Sequence, residues 1–258
     1  MKNSTKKIST LFALLMATSV FLISCKKDKE DAAETTPEST EQNLTFHLHT
    51  QVGNQLANYS TTYTQASGRK FILSDFRYYL SNIVLIKEDG SELPLSGKVI
   101  LAKPSVQDYS LGAVPVGNYK GFRFIVGLDS VTNHKDPTTY AAGNPLAIQT
   151  PTMHWSWSSG YLFFKVEGMC DTTAAANGAA NYPFFFHIGM DGYKRNINYN
   201  SNAFSVLSGQ DKEIALVFDL QKVLLNVNLR TENATHTKDN MMLASKIANN
   251  FATAMSVE

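Results

Sequence analysis

The chain is poor in charge, in cysteine and in tryptophan. Only 17% of its 258 residues are charged, and the formal net charge is +1. A nucleic-acid partner needs a basic field to neutralise phosphates, so the composition excludes that class. Two cysteines, Cys25 and Cys170, permit one disulfide at most. The nucleophile elbow, the phosphate-cradling glycine loop, the zinc-protease helix and the paired-cysteine motif are all missing. These absences point away from an enzyme and toward a binding protein. What the chain does have is a 43% hydrophobic content with 11% aromatics, enough for a sizeable core. Together with abundant Asn, Thr and Ser, this fits an extracytoplasmic β-protein.

The N-terminus carries the clearest local signal. The basic "MKNSTKK" precedes the apolar "ISTLFALLMATSVFLIS", which is short for a membrane span. It ends at "LISC", which resembles the lipobox of bacterial lipoproteins. That resemblance implies cleavage after residue 24, acylation of Cys25 and stable anchoring in a membrane. Removing residues 1–24 takes away three lysines and no acid, leaving 20 basic against 22 acidic residues. A lipidated Cys25 leaves Cys170 without a partner for an intramolecular disulfide. Cys170 is then a buried small hydrophobe, the commoner role, or a soft metal ligand. Residues 26–42, "KKDKEDAAETTPESTEQ", lack aromatic and branched aliphatic side chains and read as a disordered tether. The acid-and-lysine run after Cys25 resembles the export signal of surface-exposed lipoproteins. The expected organisation is a signal peptide over 1–24, a lipidated tether over 25–42 and one domain over 43–258. The expected location is the outer membrane, periplasmic or surface-exposed, with the domain monomeric.

From residue 43 the hydrophobic pattern has mostly period two. "LTFHLHTQV" places Phe46 and Leu48 on one face and His47 and His49 on the other. "FRYYLSNIVLI" (76–86), "YKGFRFIVGL" (119–128), "YLFFKVEG" (161–168) and "YPFFFHIG" (182–189) read as strands bounded by turn residues. "FSVLSGQDKEIALVFDL" (204–220) reads as a hairpin about Ser208–Asp211. Residues 129–151 and 169–181 read as loops. Helical spacing of Met242, Leu243, Ile247 and Phe251 predicts a helix within 239–255, with Asp239 as its N-cap. Many short strands with one C-terminal helix predict an all-β fold, an antiparallel β-sandwich of Greek-key type.

Histidine and tryptophan are the side chains left to carry chemistry. His47 and His49, two apart on one strand face, can approach one metal ion; a solvated polar strand face is the commoner use of such a pair. His187 follows three phenylalanines, so its ring needs partners, either hydrogen-bonding groups in the core or a metal at the strand end. The two tryptophans, Trp155 and Trp157, share "MHWSW", and strand alternation puts them on one face and His154 on the other. Paired aromatic faces also serve core packing and sugar stacking. Asp129 and Asn133, in "GLDSVTN", offer oxygens that suit calcium or, more commonly, an Asx-stabilised turn.

Several segments, in order, carry a resemblance: "LTFHLHTQVGNQL", "GRKFILSDFRYYLSNIVLIKEDG", "VPVGNYKGFRFIVGLDSVTN", "MHWSWSSGYLFFKVEG" and "YPFFFHIG". Over about residues 43–255 the chain resembles the MbnP-like family of copper-binding periplasmic and surface proteins, relatives of methanobactin-associated and methanotroph copper proteins. The resemblance implies a β-sandwich that binds one copper ion through histidines and a tryptophan oxidised to kynurenine. It also implies a dihaem peroxidase-like partner that performs the oxidation. His49 matches the first-strand histidine, His187 the histidine before the second glycine turn, and Trp155 and Trp157 the tryptophan pair. His154 and His47 stand as candidate supplements. Two neutral imidazoles and an aniline-type nitrogen would favour copper(I). The competing expectation is a surface adhesion or glycan-binding module that uses exposed aromatics, with structural histidines.

Overall fold

The computed structural model describes residues 40–156 and 159–258. Cys25 and Trp157 lie outside the described residues. The chain runs through β1 (Glu41–Val52), β2 (Gln55–Leu56), β3 (Thr62–Thr64), β4 (Lys70–Lys87), β5 (Glu92–Pro94), β6 (Ile100–Ala102), β7 (Asp108–Pro115) and β8 (Gly117–Val126). It continues through α1 (Ser130–Asn133), β9 (His154–Ser156), β10 (Gly160–Cys170), β11 (Tyr182–Gly189), β12 (Arg195–Tyr199), β13 (Phe204–Val206) and β14 (Lys212–Asp219). It ends with α2 (Leu220–Val223), β15 (Ala234–Thr235), α3 (Met241–Ala254) and β16 (Met255–Val257).

Two sheets form. The smaller orders its strands β16-β14-β1-β2, with β7 also on β1; the larger is built along β12-β8-β4-β10-β11-β15. Phe46 of β1 meets Phe122 and Phe124 of β8, and Phe218 of β14 meets Phe76 of β4 with ring centroids 4.9 Å apart. The aromatic core between the sheets is the sandwich that the period-two pattern predicts. The expectation of purely antiparallel pairing fails at two places, because β1 runs parallel to β14 and β11 parallel to β15.

The hairpin over 204–220 does not form. β13 pairs with β8 in the large sheet, whereas β14 pairs with β1 and β16 in the small one. The turn near Gly209 therefore carries the chain from one sheet to the other. The C-terminal helix forms, but its cap is Asn240, whose side chain accepts from the Leu243 amide, and not Asp239. Its buried face is Leu243, Ala244, Ile247, Ala248 and Phe251, while Met242 is 85% exposed. Phe251 closes the core against Phe164 and Phe218 at 4.1 and 4.4 Å. Residues 129–151 hold only α1 and one 3-10 turn (Pro137–Thr139), close to the loop expected.

Candidate functional site

The outer face of the small sheet presents the most convergent imidazoles. Phe46 and Leu48 point into the core, so alternation turns His47 and His49 outward. Parallel pairing sets His47 beside Ala215, whose small side chain leaves room, and antiparallel pairing sets it beside Asp108. The two imidazoles meet edge to face, with Nε2 of His47 2.6 Å from Nε2 of His49. Each Nδ1 faces a carboxylate: His47 that of Asp108, and His49 that of Glu258 at 3.2 Å. The Glu213 carboxylate stands 4.0 Å from His47 Nδ1. Glu258 is brought there by its backbone N–H, which donates to the Ala215 carbonyl.

This arrangement has a chemical consequence. A neutral imidazole that donates Nδ1–H to a carboxylate carries its lone pair on Nε2. For His47 that lone pair points at His49 Nε2, 2.6 Å away, where it can accept the Nε2–H of a neutral His49 or share a cation with it. Carboxylate partners on the far nitrogens are also the usual outer support of metal-bound histidines. The donor set fits a first-row metal ion. His47, Asp108 and Glu213 also place ligand atoms within 4.8 Å of one another.

His187 lies elsewhere. Val166, Phe76 and Phe186 are cross-strand neighbours, and Phe76 packs on Phe218 of the small sheet. Lys165, Arg77 and His187 are the next cross-strand set, so they face away from the small sheet. His49 and His187 thus sit on opposite outer faces of the sandwich and do not build one site together. His187 Nε2 meets Glu167 at 2.7 Å, and Lys165 links Glu167 to Asp75, which also holds Arg77. The His187 hydrogen bond and Lys165 together hold the Glu167 carboxyl below its ordinary range against the opposing effect of burial. His236, fixed by Asp239, packs edge-on to the His187 ring.

The "MHWSW" segment enters β9, which pairs with the start of β10. Strand alternation holds there. His154 packs edge-on against Tyr161, and burial lowers its pKa. Trp155 lies against Gly189, where a Cβ would come 2.8 Å from the indole Cζ3. Gly189 is two residues beyond His187 on the same face of β11, so Trp155 and His187 share that face.

The "GLDSVTN" loop is a stabilised turn. Asp129 caps α1, accepting from the Thr132 amide and hydroxyl. Asn133 is buried, donates to Asp191 and accepts from the Tyr161 amide. These are the bonds of the Asx-stabilised turn. Cys170 is buried and free, with its pKa pushed up to about 11 by burial, in keeping with a packing role.

Asp108, Glu213, Glu258 and Glu167 complete these clusters and were not singled out from sequence. They lie far from their histidines in the chain, and only strand register brings them alongside. The expected alternation of β1 was the one available signal.

A search of curated proteins finds no match. Among solved structures the fold is similar to MbnP from Methylosinus trichosporium, with a TM-score of 0.53 and 16% identity, covering 74% of this chain and 80% of that one. The model of the MbnP family matches residues 41–242, nearly the whole folded domain. By that match, and with the sandwich it requires in place, the chain belongs to the MbnP family.

Proposed function

We propose that this protein binds copper in the bacterial envelope, as a lipid-anchored carrier in copper acquisition, storage or handover. The observation that carries this reading is the His47–His49 pair, with Nε2 atoms turned on each other, His47 Nδ1 bonded to Asp108 and His49 Nδ1 facing Glu258. Among divalent first-row ions, copper(II) binds nitrogen sites most tightly. Asp108, Glu213 and Glu258 add negative charge around the pair, which favours copper(II) over the copper(I) suited to a neutral ligand set. Copper would supply a Lewis-acidic, redox-active centre. The chain's own residues position the imidazoles and fix their tautomers. We read the protein as a binding protein with no reaction of its own, held by Cys25 at the outer membrane.

The family resemblance adds kynurenine formation at Trp155 or Trp157 by a dihaem partner. The packing of Trp155 on the same face as His187 supports Trp155 as the reactive residue of a second, separate centre. The glycan-binding alternative has less support, since Trp155 packs on the core at Gly189 and is not displayed on a protruding loop.

Isothermal titration of the folded domain with copper(II), followed by electron paramagnetic resonance, tests the reading. One tightly bound ion with nitrogen hyperfine structure is expected, and His47→Ala and His49→Ala should each abolish it. Unchanged binding in both variants, with wild-type circular dichroism, overturns it.

A further inference from the structure

The loop between β10 and β11, "DTTAAANGAAN" (171–181), holds the one Asn-Gly pair of the sequence, Asn177–Gly178. Such a pair ordinarily supplies left-handed backbone to a tight turn. Here the left-handed residue is Ala176, at a φ of +54°, and Gly178 is not left-handed. Close approach is what requires the glycine: a Cβ there would lie 2.5 Å from Thr173 Cγ2 and 2.7 Å from Asp171 Oδ1. The loop folds onto Asp171, whose side chain is buried. The Asp171 carboxylate accepts from the Thr173 amide at 2.7 Å and from the Gly178 amide at 3.1 Å. Arg69 fixes the start of the same loop by donating to the Asp171 and Thr173 carbonyls.

Asn177 is exposed, so water reaches its side chain. The Thr173 hydroxyl is directed at the Asn177 carbonyl oxygen, 3.5 Å away. The same hydroxyl oxygen lies 3.2 Å from the Gly178 amide nitrogen, so it touches both ends of the pair. Covalent connection keeps the Gly178 nitrogen one ring closure away from Asn177 Cγ, and glycine puts no side chain in the path. Three groups therefore meet here. The Gly178 nitrogen is a nucleophile, Asp171 is a carboxylate on its proton, and Thr173 is a donor at the oxygen that gains charge when Cγ is attacked. A long hydrogen bond in the resting state tightens as that charge develops.

We infer that Asn177 is a self-modification site, where the folded loop promotes conversion of the side-chain amide to an acid. The Gly178 nitrogen bonds to Asn177 Cγ, and the Cγ–Nδ2 bond breaks. The proton lost from the Gly178 nitrogen passes by way of Asp171 to the departing nitrogen, which leaves as ammonia. Water then opens the succinimide ring at either carbonyl and leaves aspartate or isoaspartate at 177. The step consumes only water, and it does not depend on the copper reading. Its product carries a new carboxylate that Thr173 links to Asp171, so a like charge now stands against the loop's own anchor.

The test follows the full chain at neutral pH and physiological temperature by peptide mass spectrometry, beside a synthetic peptide of residues 171–181. The gain of one mass unit at Asn177, with isoaspartate scored by enzymatic methylation, gives the rate in each. The folded chain should convert at least threefold faster than the peptide. Thr173→Val should bring the rate in the folded chain down to that of the peptide or below, and Thr173→Ser should restore it, whereas neither change should alter the rate in the peptide. Thr173 is exposed, so these variants keep the fold, which circular dichroism checks. Asp171→Asn, where it folds, should slow conversion as well. A folded chain that converts no faster than the peptide overturns the site, because the loop then shields Asn177. A folded Thr173→Val variant that converts at the wild-type rate overturns it too.

Discussion

Trp155 rests on Gly189 so closely that a methyl group there would lie 2.8 Å from the indole and 2.4 Å from the Tyr161 carbonyl oxygen. The second distance is to backbone, which moves only with β10 itself. Gly189→Ala should therefore destabilise the domain by about 1–3 kcal/mol, the usual cost of overpacking. Thermal unfolding gives the magnitude. Tryptophan fluorescence in a Trp157→Phe background reports whether the indole is the group displaced. An unchanged melting temperature and emission maximum would count against the contact.

The separation of His49 from His187 makes a second prediction. Asp108→Asn weakens the support of His47 and should lower copper(II) affinity about 10–100-fold, as loss of an outer hydrogen-bond partner does. His187→Ala touches the other face, so its effect on copper(II) affinity should stay within about twofold. Copper(II) titrations of the three proteins separate these effects. A His187→Ala variant that loses copper(II) would place both histidines in one site.

Alternation along β1 made the shared face of His47 and His49 legible in the sequence, and the same rule placed Trp155 apart from His154. Alternation says which side of its own strand a residue takes, but it does not say which sheet the strand joins. That is why His187 was expected beside His49, and why the turn at Gly209 read as a hairpin. The parallel pairing of β1 with β14 brings Glu213 alongside His47, and antiparallel pairing with β7 brings Asp108. Neither pairing has a local signature, since both depend on long-range contacts between strands far apart in the chain. The caps and turns were legible where the side chain bonds to its own backbone, as at Asp129.

Tyr78 offers a stabilising substitution. Its ring stacks on Phe218 in the core, 5.2 Å between centroids, yet its buried hydroxyl has no hydrogen-bond partner among the described residues. An unsatisfied buried hydroxyl costs about 1–3 kcal/mol. Tyr78→Phe keeps the stacking and removes that cost, so the melting temperature should rise. A fall of several degrees would mean that the hydroxyl has a partner.

Glu167 sets the acid limit of the outer face of the large sheet. The hydrogen bond from His187, followed by the contacts with Lys165, lowers its folded-state pKa below the unfolded value. The unfolded chain then binds the proton more readily, so this stabilisation is complete above the ordinary carboxylate pKa. It is lost as pH falls through the lower, folded value. Protonation also leaves the buried Lys165 ammonium with Asp75 as its remaining carboxylate partner. Glu167→Gln should remove this contribution at neutral pH and flatten the decline of stability below about pH 4.5. Denaturant unfolding of wild type and variant across pH 3–7 measures the difference between the two curves. It should be largest at neutral pH and shrink toward acid, whereas a constant offset would assign Glu167 a packing role with no proton linkage.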